Sequence, residues 1–487
     1  MTDTSDLSHA IERLGGANIM VLGDLMLDRF VYGEVERISP EAPVPVLRVG
    51  AEESMLGGAG NVVRNLVALG AHCCFVAVVG DDSVGHDLIA MVGEEANIEP
   101  YLLVERGRRS TTKVRYVAGS QQLLRADRET DRAIEAATCA RIIDIVETGL
   151  EGVDALILSD YAKGVLTPET IEAAIGAARD AGIPVIVDPK SSNFSRYAGA
   201  TVLTPNRREL AIATRMIAET DGEVVEAAAR ALEDSGADMI LVTRSADGMS
   251  LVCRDGTVTH LEAQAREVFD VSGAGDTVVA SFAAALGRGI SAPDAARIAN
   301  LAGGIVVGKI GTAIIHTEDL THALRTSTFI ANEEKVLLRS AAVERVARWK
   351  KQGRRVGFTN GCFDLLHPGH VSLLRQARAR CDRLVVGLNS DRSVRELKGP
   401  TRPVQDEAAR AQVLASLADV DAVVIFDEET PLELIAALRP DLLVKGADYT
   451  VETVVGADIV SAYGGEIYLA ELATGHSTTA TISRLTT

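Results

Sequence analysis

Short apolar runs and helical patterns alternate along the chain from Phe75 to Pro189, and this alternation constrains the fold more than any other feature. Each apolar run has the length of a buried strand, and each segment between two runs is long enough for a helix. The predicted strands cover 75–79, 155–158 and 184–187, and the predicted helices cover 88–95, 140–147 and 171–181. Strands that alternate with helices form parallel sheets with helices on both faces. The sequence therefore predicts a layered α/β fold.

The chain of 487 residues is too long for one compact core, because single domains typically stop growing at roughly 250 to 300 residues. The periodic pattern weakens between Glu318 and Asn332. An amphipathic helix with basic residues near its end then runs from Glu333 to Gln352, where Gly353 stops it. We therefore predict a first domain over residues 1–330, a linker helix over 331–353 and a second domain over 354–487.

The charge balance is acidic, with 49 basic and 68 acidic residues and a net charge of −19. It argues against nucleic acid or an anionic membrane as a general partner, so any phosphate site must be local. The first residues lack the basic and apolar regions of a signal peptide, and no apolar run approaches the roughly 18 to 20 residues of a membrane span. Six cysteines without a Cys-x-x-Cys pair favour reduced thiols. We expect a cytoplasmic protein.

A glycine-rich loop, Val271-Ser272-Gly273-Ala274-Gly275-Asp276-Thr277, precedes a small-residue helical pattern. The small residues Gly273, Ala274 and Gly275 leave backbone N–H groups free to face a phosphate at the positive end of the helix dipole. Asp276 cannot attract phosphate by its charge, so its better use is as a base that takes a proton from an attacking hydroxyl. Phosphoryl transfer is the first hypothesis, and an ordinary join between a loop and a helix is the alternative.

Two segments of the first domain carry polar residues that could bind a polyol. The strand Ile19 to Gly23 delivers Asp24 to the sheet edge where ligands bind, so Asp24 and Asp28 are candidates for contacts with hydroxyl groups. A helix cap or a solvated position is the alternative for Asp28. The stretch Gly57-Gly58-Ala59-Gly60-Asn61 allows close approach to the backbone, and Asn61 can bond to sugar hydroxyls, with a flexible turn as the alternative.

Residues Arg29 to Val49 alternate in polarity and contain Pro40, Pro43 and Pro45. Proline cannot donate to a strand ladder, so this pattern is typical of exposed edge strands. We expect a small β lid here and a homodimer that forms through it.

Asn206 and Glu209 lie three residues apart at a predicted helix start, directly after the strand Thr201 to Thr204. Residues with this spacing face the same point, and their oxygen atoms suit a hydrated Mg²⁺ beside a nucleotide triphosphate. A capping box is the alternative for this pair. Lys163 and Lys190 follow other strands and either contact phosphates or are surface lysines.

Three motifs resemble, in their order, the ribokinase-type (PfkB) sugar kinases: Gly57 to Asn61, Asn206-Arg207-Arg208-Glu209 and Gly273 to Asp276. The resemblance implies ATP-dependent phosphorylation of a sugar hydroxyl, with Asp276 as the general base and Gly273 to Gly275 as the anion hole. It implies ATP and Mg²⁺ contacts at Asn206, Arg207, Arg208, Glu209 and Asn300. The predicted sugar contacts are then Asp24, Asp28, Gly57, Gly58 and Asn61.

The second domain opens with a predicted strand, Arg355 to Thr359, and a loop that leads into a helix at Pro368. His367 and His370 flank the first helical turn, so both imidazoles and the helix N-terminus can point at the same anion. They would stabilise the charge on a phosphate under attack. A metal site with Cys362 as a third ligand is the alternative, although it has no clear fourth ligand and fits no usual zinc spacing.

The segment from His367 to His370 resembles the His-x-Gly-His motif of the cytidylyltransferase-like nucleotidyltransferases. The resemblance implies a Rossmann-like α/β domain. It implies nucleotide contacts at Thr359, Asn360, Gly361, Phe363, Lys398, Lys445, Asp448, Ser477 and Thr478. Arg484 stands near a basic position of the last motif, and its role is open.

Together the two resemblances cover nearly the whole chain and match the bifunctional heptose kinases and adenylyltransferases, which make ADP-heptose for the lipopolysaccharide core. This family implies phosphorylation of D-glycero-β-D-manno-heptose 7-phosphate at C1 and adenylyl transfer to heptose 1-phosphate, with ATP as substrate at both sites and Mg²⁺. Arg125 either contacts a substrate phosphate or forms a surface ion pair. Another sugar 1-phosphate or CTP is one alternative, and a scaffold protein with decayed sites is another.

Overall fold

The structure is a computed structural model that describes residues 4–119, 121–264, 270–309, 311, 313–324, 335–447 and 449–471. It divides into two compact units, Met1–Leu324 and Arg325–Thr487. The predicted domain boundary at residue 330 lies outside the described residues. Each unit has its own sheet and its own hydrophobic core.

The first unit contains a large, mostly parallel sheet and a smaller sheet. Its strands are β1 Asn18–Gly23, β2 Leu25–Ile38, β3 Pro45–Gly58, β4 His72–Gly80, β5 Ile98–Glu105, β6 Thr111–Ala118, β7 Gln121–Arg128, β8 Ala155–Ser159, β9 Val185–Asp188, β10 Val202–Leu203, β11 Met239–Thr243, β12 Met249–Cys253 and β13 Val258–Leu261. In the described residues the large sheet has the order β13-β12-β11-β10-β9-β8-β1-β4-β5. The strands from β11 to β5 in this order are parallel, and β12 and β13 are antiparallel to their neighbours.

The central strands are buried on both faces because successive side chains point to opposite sides of a sheet. In β1, Ile19 and Val21 belong to one hydrophobic cluster, and Met20 and Leu22 belong to another. The helices of this unit are Thr4–Glu12, Ala59–Ala68, Ser83–Glu94, Ala136–Gly149, Pro168–Asp180, Arg207–Thr214, Asp221–Ser235, Ala274–Gly287, Ala292–Val306 and residues 317–324. The predicted layered α/β fold is confirmed.

The smaller sheet has the order β3-β2-β6-β7 and is called the lid sheet below. Only Asp24 separates β2 from β1, so the lid sheet begins at the carboxyl edge of the large sheet. All residues of β7 are exposed, as are the last five residues of β2. The predicted small β lid is therefore present, and its strands include the proline-flanked segment that predicted it.

The second unit is built on a parallel sheet. Its strands are β14 Val336–Leu337, β15 Val356–Gly361, β16 Arg383–Asn389, β17 Ala422–Phe426, β18 Leu442–Gly446 and β19 Glu466–Ala470, and its helices are Arg339–Lys351, Pro368–Arg378, Asp391–Lys398, Glu407–Ala415, Leu432–Leu438 and Ala457–Ala462. Among the described residues the strand order is β14-β17-β16-β15-β18-β19. From β15 the chain first adds β16 and β17 on one side and later adds β18 and β19 on the other side. The gap between β15 and β18 is therefore a topological switch point, where ligands bind in open α/β sheets.

The predicted linker helix forms over Arg339–Lys351, but it is not a free connector. Ala342 and Val346 are buried in a hydrophobic cluster that also contains Phe358 and Leu434. The helix therefore belongs to the second unit, because its apolar side chains complete that core. Within the described residues, no helix has both the length and the apolar character needed to cross a membrane.

Candidate active sites

Asp276 lies in the first turn of the buried helix Ala274–Gly287, and two other elements hold its carboxylate. The Tyr161 hydroxyl donates to Oδ1 at 2.5 Å, and the Asn61 amide donates to Oδ2 at 2.8 Å. Burial raises the pKa of Asp276 to about 6, and the two hydrogen bonds oppose this rise. A carboxylate that titrates near neutrality is suited to proton transfer.

Asn61 has an unused acceptor inside the first unit. The residue is fully buried, and its Oδ1 has no hydrogen-bond partner among the described residues. Asn65 braces this region, because it accepts from the Thr277 hydroxyl at 3.0 Å and donates to the Asn61 carbonyl at 2.9 Å. Gly58, with a φ of 57°, begins the helix that carries Asn61. A buried acceptor without a donor is costly, so a ligand hydroxyl fits this position.

The Asp24 carboxylate accepts its hydrogen bonds from backbone N–H groups of the protein itself. Asp24 is 1% exposed, and its carboxylate accepts N–H bonds from Tyr161, Lys163 and Val165 at 2.9, 3.0 and 3.2 Å. Burial raises its pKa, and these backbone bonds lower it. The Lys163 ammonium pairs with Glu129 at 2.9 Å. We therefore propose that Asp24 positions the loop after β8, in place of the predicted sugar contact.

Asp28 lies close to Asp276 and is 4% exposed. It accepts from Arg115 at 2.7 Å. Gly57 on the paired strand β3 is needed here, because a Cβ atom at that position would lie 2.4 Å from Asp28 Oδ2. The charge of Asp28 raises the pKa of Asp276 and that of Lys113 lowers it, so both groups act on the same carboxylate. The structure therefore brings Asp28, Gly57 and Asp276 together.

Basic side chains stand together on the lid sheet beside Asp28. Lys113 and Arg115 are alternate residues of β6 and share a face, and Arg115 lies directly opposite Arg125 on β7. Like charges opposite each other in an antiparallel pair are destabilising. Asp127 offsets one of these charges, since it accepts from Arg125 at 2.9 Å. Asp28 offsets the other, since it accepts from Arg115 at 2.7 Å. Lys113 then leaves a net positive charge on this face, which suits an anionic group on a substrate.

A cavity of about 200 Å³ lies at the carboxyl ends of the parallel strands. It is lined by Asp160, Tyr161, Asp188, Pro189, Lys190, Thr204, Asn206, Glu209, Thr243, Gly275, Val278 and Val279. Gly273 begins the adjacent helix with a left-handed φ of 78°, and no side chain caps this helix. N–H groups of a first helical turn that lack a side-chain cap can bind an anion. The cavity thus joins residues that the sequence assigned to phosphate and to Mg²⁺.

Asn206 and Glu209 form the capping box that was the alternative for this pair. Asn206 Oδ1 accepts the Glu209 N–H at 2.9 Å, and Glu209 Oε2 accepts the Asn206 N–H at 3.0 Å. The other oxygen, Oε1, pairs with Lys190 at 2.9 Å. Nearby, burial and then the charges of Asp276 and Glu209 hold the pKa of Asp188 well above its usual range.

These oxygen atoms fit a hydrated Mg²⁺ that is bound mainly through a nucleotide, because Mg²⁺ keeps several waters and needs only one or two carboxylates. In the parts of the chain that the structure describes, no cluster of three or more His, Cys, Asp or Glu side chains could hold a metal ion directly. The predicted alternative of a metal at Cys362, His367 and His370 therefore gains no support.

The other residues predicted to contact ATP do not line this cavity. Arg207 pairs with Asp247 at 2.5 Å, and Arg208 is exposed. Asn300 is buried and donates to the Glu262 carbonyl at 2.8 Å. Nucleotide contacts at these positions stay predictions.

In the second unit, His367 and His370 flank the N-terminus of the helix Pro368–Arg378, and their ring centroids lie 3.8 Å apart. Phe363, with a φ of 42°, packs its ring 5.0 Å from that of His370. Burial, followed by the charges of His367 and Lys398, lowers the pKa of His370 to about 4. His370 is therefore neutral near pH 7 and still offers one N–H donor. Two imidazoles at one helix N-terminus can stabilise a phosphate.

Further predicted nucleotide residues surround the carboxyl end of β15. Thr359 is buried, Gly361 ends the strand, and Asn360 Oδ1 is a buried acceptor without a partner in the described structure. Lys445 on the neighbouring strand donates to the Asn360 carbonyl at 3.1 Å. Lys398 is exposed. The predicted residues Asp448, Ser477, Thr478 and Arg484 lie outside the described residues.

Arg410 was missed by sequence analysis, although its guanidinium is fully buried in the second unit. It donates to the carbonyls of Cys362 and Asn389 at 2.6 and 2.9 Å and to the Asp391 carboxylate at 2.6 Å. The same side chain therefore ties together the loops after β15 and β16. A single basic residue on the apolar side of the helix Glu407–Ala415 is the signal that could have found it.

Tyr161 was also missed as a site residue. The available signal was its place two residues after the end of a buried strand, where a phenol is presented to the ligand edge of the sheet. Nothing in the local pattern indicates that its hydroxyl reaches Asp276, which is 115 residues away in the chain.

Comparisons with known protein families match both units. The model of the pfkB family carbohydrate kinases matches residues 17–319, and the cytidylyltransferase-like model matches residues 358–469. The chain is 56% identical over 485 residues to the bifunctional protein HldE of Paramagnetospirillum magneticum, covering 100% of this chain and 99% of that protein. It is 55% identical over 480 residues to the bifunctional protein HldE of Caulobacter vibrioides, covering 98% and 99%.

Solved structures resemble the first unit in fold. Arabidopsis thaliana ribokinase, solved with ribose and ATP, has a TM-score of 0.52 at 20% identity and matches 64% of this chain and 99% of its own. Escherichia coli phosphofructokinase-2, solved with substrates and products, has a TM-score of 0.54 at 20% identity, with 64% and 99% covered. At this level of identity the likeness shows the ribokinase-like fold of the first unit.

Proposed function

This chain belongs to the family of the bifunctional HldE proteins, and we propose that it catalyses two ATP-dependent steps toward ADP-heptose. The kinase unit phosphorylates D-glycero-β-D-manno-heptose 7-phosphate at C1. The nucleotidyltransferase unit transfers AMP from ATP to heptose 1-phosphate and releases pyrophosphate. A separate phosphatase removes the C7 phosphate between the two steps.

The buried Asp276 carboxylate is the observation that carries the kinase proposal. It takes the proton of the anomeric hydroxyl while the hydroxyl oxygen attacks the γ-phosphorus of ATP. The bond from the γ-phosphorus to the bridging oxygen breaks, and ADP leaves. N–H groups at Gly273 to Gly275 stabilise the transferred phosphoryl group. A pKa of about 6 leaves most of Asp276 ionised at neutral pH, so the base is ready.

Asn206 and Glu209 are the residues that would hold a hydrated Mg²⁺ with ATP in the cavity beside Gly275. The ion, when bound, offsets the negative charge of the phosphates. Lys190 lines the same cavity and adds a positive charge there, which supports a polyphosphate ligand despite the net charge of −19.

The basic residues of the lid sheet support a sugar that already carries a phosphate. Lys113, Arg115 and Arg125 share one face of β6 and β7, and the Lys113 ammonium lies close enough to Asp276 to lower its pKa. The three cations outnumber their carboxylate partners Asp28 and Asp127, so this face keeps a net positive charge that suits a phosphate, which accepts charge-assisted hydrogen bonds. We propose this cluster as the site of the C7 phosphate.

The second site needs donors, whereas the first needs a base. An ionised oxygen of heptose 1-phosphate attacks the α-phosphorus of ATP, and the bond to the pyrophosphate oxygen breaks, so no proton has to be removed. His367, His370 and the N-terminus of their helix stabilise the charge that develops on the α-phosphate. The buried Asn360 Oδ1 is then available to a donor group of the nucleotide.

The exposed apolar side chains of the lid sheet support a homodimer through this sheet. They include Ile38, Val49 and Leu124, with exposed fractions of 62%, 50% and 58%. Apolar patches on a sheet that is otherwise solvated favour association with a partner. We also propose a cytoplasmic location, because the proposed reactions use ATP and sugar phosphates as substrates.

The proposed function is tested by incubating the protein with heptose 7-phosphate and each nucleoside triphosphate in turn, with and without the matching phosphatase. We expect a 1,7-bisphosphate with ATP alone, and ADP-heptose with pyrophosphate only when the phosphatase is present. Phosphate at a carbon other than C1 would contradict the kinase proposal. Faster nucleotide transfer from CTP than from ATP would contradict the adenylyltransferase proposal.

A further inference from the structure

Tyr161 connects the loop after β8 to the base of the kinase site. Its side chain is half-buried, and its hydroxyl donates to Asp276 Oδ1 at 2.5 Å. Asn61 donates to the other oxygen at 2.8 Å, so both carboxylate oxygens are held by donors from different elements. A carboxylate held at both oxygens cannot rotate away from the substrate.

The loop that carries Tyr161 is itself fixed. Asp24 accepts the backbone N–H groups of Tyr161, Lys163 and Val165, and it is 1% exposed. On the other side, the Lys113 ammonium lies 5.5 Å from the centre of the Tyr161 ring, a distance at which a cation is attracted to the ring face. The phenol is therefore held from the large sheet and from the lid sheet.

The Tyr161 hydroxyl acts toward Asp276 as a donor only. Burial, followed by the charges of Asp276 and Asp188, holds the pKa of Tyr161 well above its usual range, so the phenol keeps its proton. A donor to a carboxylate stabilises the ionised form and lowers the pKa of the acid. Loss of the phenol hydroxyl should therefore make Asp276 harder to ionise.

We propose that Tyr161 is a positioning residue of the kinase reaction, whose hydroxyl orients the Asp276 carboxylate and keeps it ionised for the attacking sugar. The inference rests on the proposed role of Asp276 as the base. As the sugar O–H bond breaks and the new O–P bond forms, the proton passes to Asp276 while Tyr161 keeps its own proton.

The other charged groups around Asp276 make this donor important. Asp28 on β2 disfavours its negative charge, and Lys113 on β6 favours it. Asp188 on β9 is also near, and the charge of Asp276 raises the pKa of Asp188. Asn61, on the helix Ala59–Ala68, adds one neutral donor. Tyr161 therefore opposes the effects of burial and of the Asp28 carboxylate on Asp276.

The test is the pH dependence of kcat/KM for sugar phosphorylation by the full chain with Tyr161→Phe. Because the kinase needs ionised Asp276, activity falls as the pH drops through the pKa of that group, and a raised pKa moves this fall to higher pH. We expect the acid limb to move up by about one pH unit, with activity within about threefold of the unchanged protein at the alkaline plateau. The substrates are the same in both proteins, so their own titration cancels.

Tyr197→Phe is the matched control, since the Tyr197 hydroxyl donates to Asp160 at 2.5 Å and not to Asp276. Its acid limb should not move. An unmoved limb in Tyr161→Phe, or an equal loss of activity at every pH, overturns the proposal, because a purely structural role lowers activity without moving the limb. Tyr161→Leu, which also removes the hydroxyl, serves if the phenylalanine variant does not fold, and the same shift is expected.

Asp276→Asn separates this inference from the function on which it rests. An inactive Asp276→Asn protein together with an unmoved limb in Tyr161→Phe refutes the role of Tyr161 and leaves the base in place. An active Asp276→Asn protein refutes the base, and the role of Tyr161 with it.

Discussion

Burial shifts the pKa of one side chain in each candidate site, and the direction of the shift differs between the two units. In the first unit burial raises the pKa of Asp276 to about 6, which suits its proposed role as a base at neutral pH. In the second unit burial lowers the pKa of His370 to about 4 and keeps an imidazole neutral. Desolvation favours the neutral form of both groups, so its effect on acidity has opposite signs for an acid and for a base.

The difference follows from the two nucleophiles. A sugar hydroxyl must lose a proton, so the kinase site needs a carboxylate with donors around it. A sugar phosphate is already ionised, so the transferase site needs N–H donors and no base. Two phosphate-handling sites in one chain can therefore be told apart by whether the nucleophile has to lose a proton.

Asp276→Asn should give the largest effect and would separate the two units functionally. Without the base, we expect sugar phosphorylation to fall by about 10³-fold or more. Adenylyl transfer from supplied heptose 1-phosphate should stay within about twofold, because His367 and His370 are untouched. Asp234→Asn, at an exposed position of the helix Asp221–Ser235, is the control. Equal loss of both activities in a folded protein would contradict the proposal that the two reactions take place at separate active sites.

His370→Ala is the converse experiment, with an expected loss of about 10²- to 10³-fold in pyrophosphate release during adenylyl transfer. The reason is the loss of a donor next to the α-phosphate. Phosphorylation of heptose 7-phosphate by the same protein should be unchanged. His316→Ala, at an exposed position of the first unit, is expected to affect neither reaction. Damage to the kinase would argue against two independent sites.

Arg410→Met should destabilise the second unit by about 3 kcal/mol, because it leaves three buried or half-buried acceptors without their charged donor. Denaturant unfolding followed by circular dichroism should show an earlier transition for the second unit and an unchanged one for the first. The exposed Arg348 provides the control variant Arg348→Met. A single shifted transition for the whole chain would mean that the units do not unfold separately.

Arg125→Gln should give the smallest effect, about a tenfold rise in KM for heptose 7-phosphate with little change in kcat. The arginine is half-exposed, so solvent weakens its contact with a phosphate. Arg128→Gln changes the charge of the same strand on its opposite face and should leave KM unchanged. An unchanged KM in Arg125→Gln would contradict the proposal that Lys113, Arg115 and Arg125 bind the C7 phosphate.

Local patterns were enough for much of the fold. The alternation of apolar runs and helical segments predicted the parallel sheet, and the proline-rich alternating segment predicted the lid sheet, because both signals depend on neighbours in the chain. The helix Arg339–Lys351 was predicted as a helix, yet its place in the core of the second unit was not. Its periodicity shows an apolar face but not what covers that face.

The sequence by itself determined which chemical groups are present: a glycine-rich helix start with Asp276, and the pair His367 and His370. Only the tertiary structure decided how they are used. It turned Asp24 inward to hold a loop, brought the Tyr161 hydroxyl to Asp276 across 115 residues, and buried the Arg410 guanidinium between two loops. The physical reason is that burial and long-range hydrogen bonds set the ionisation and direction of a side chain, and both depend on partners that are distant in the chain.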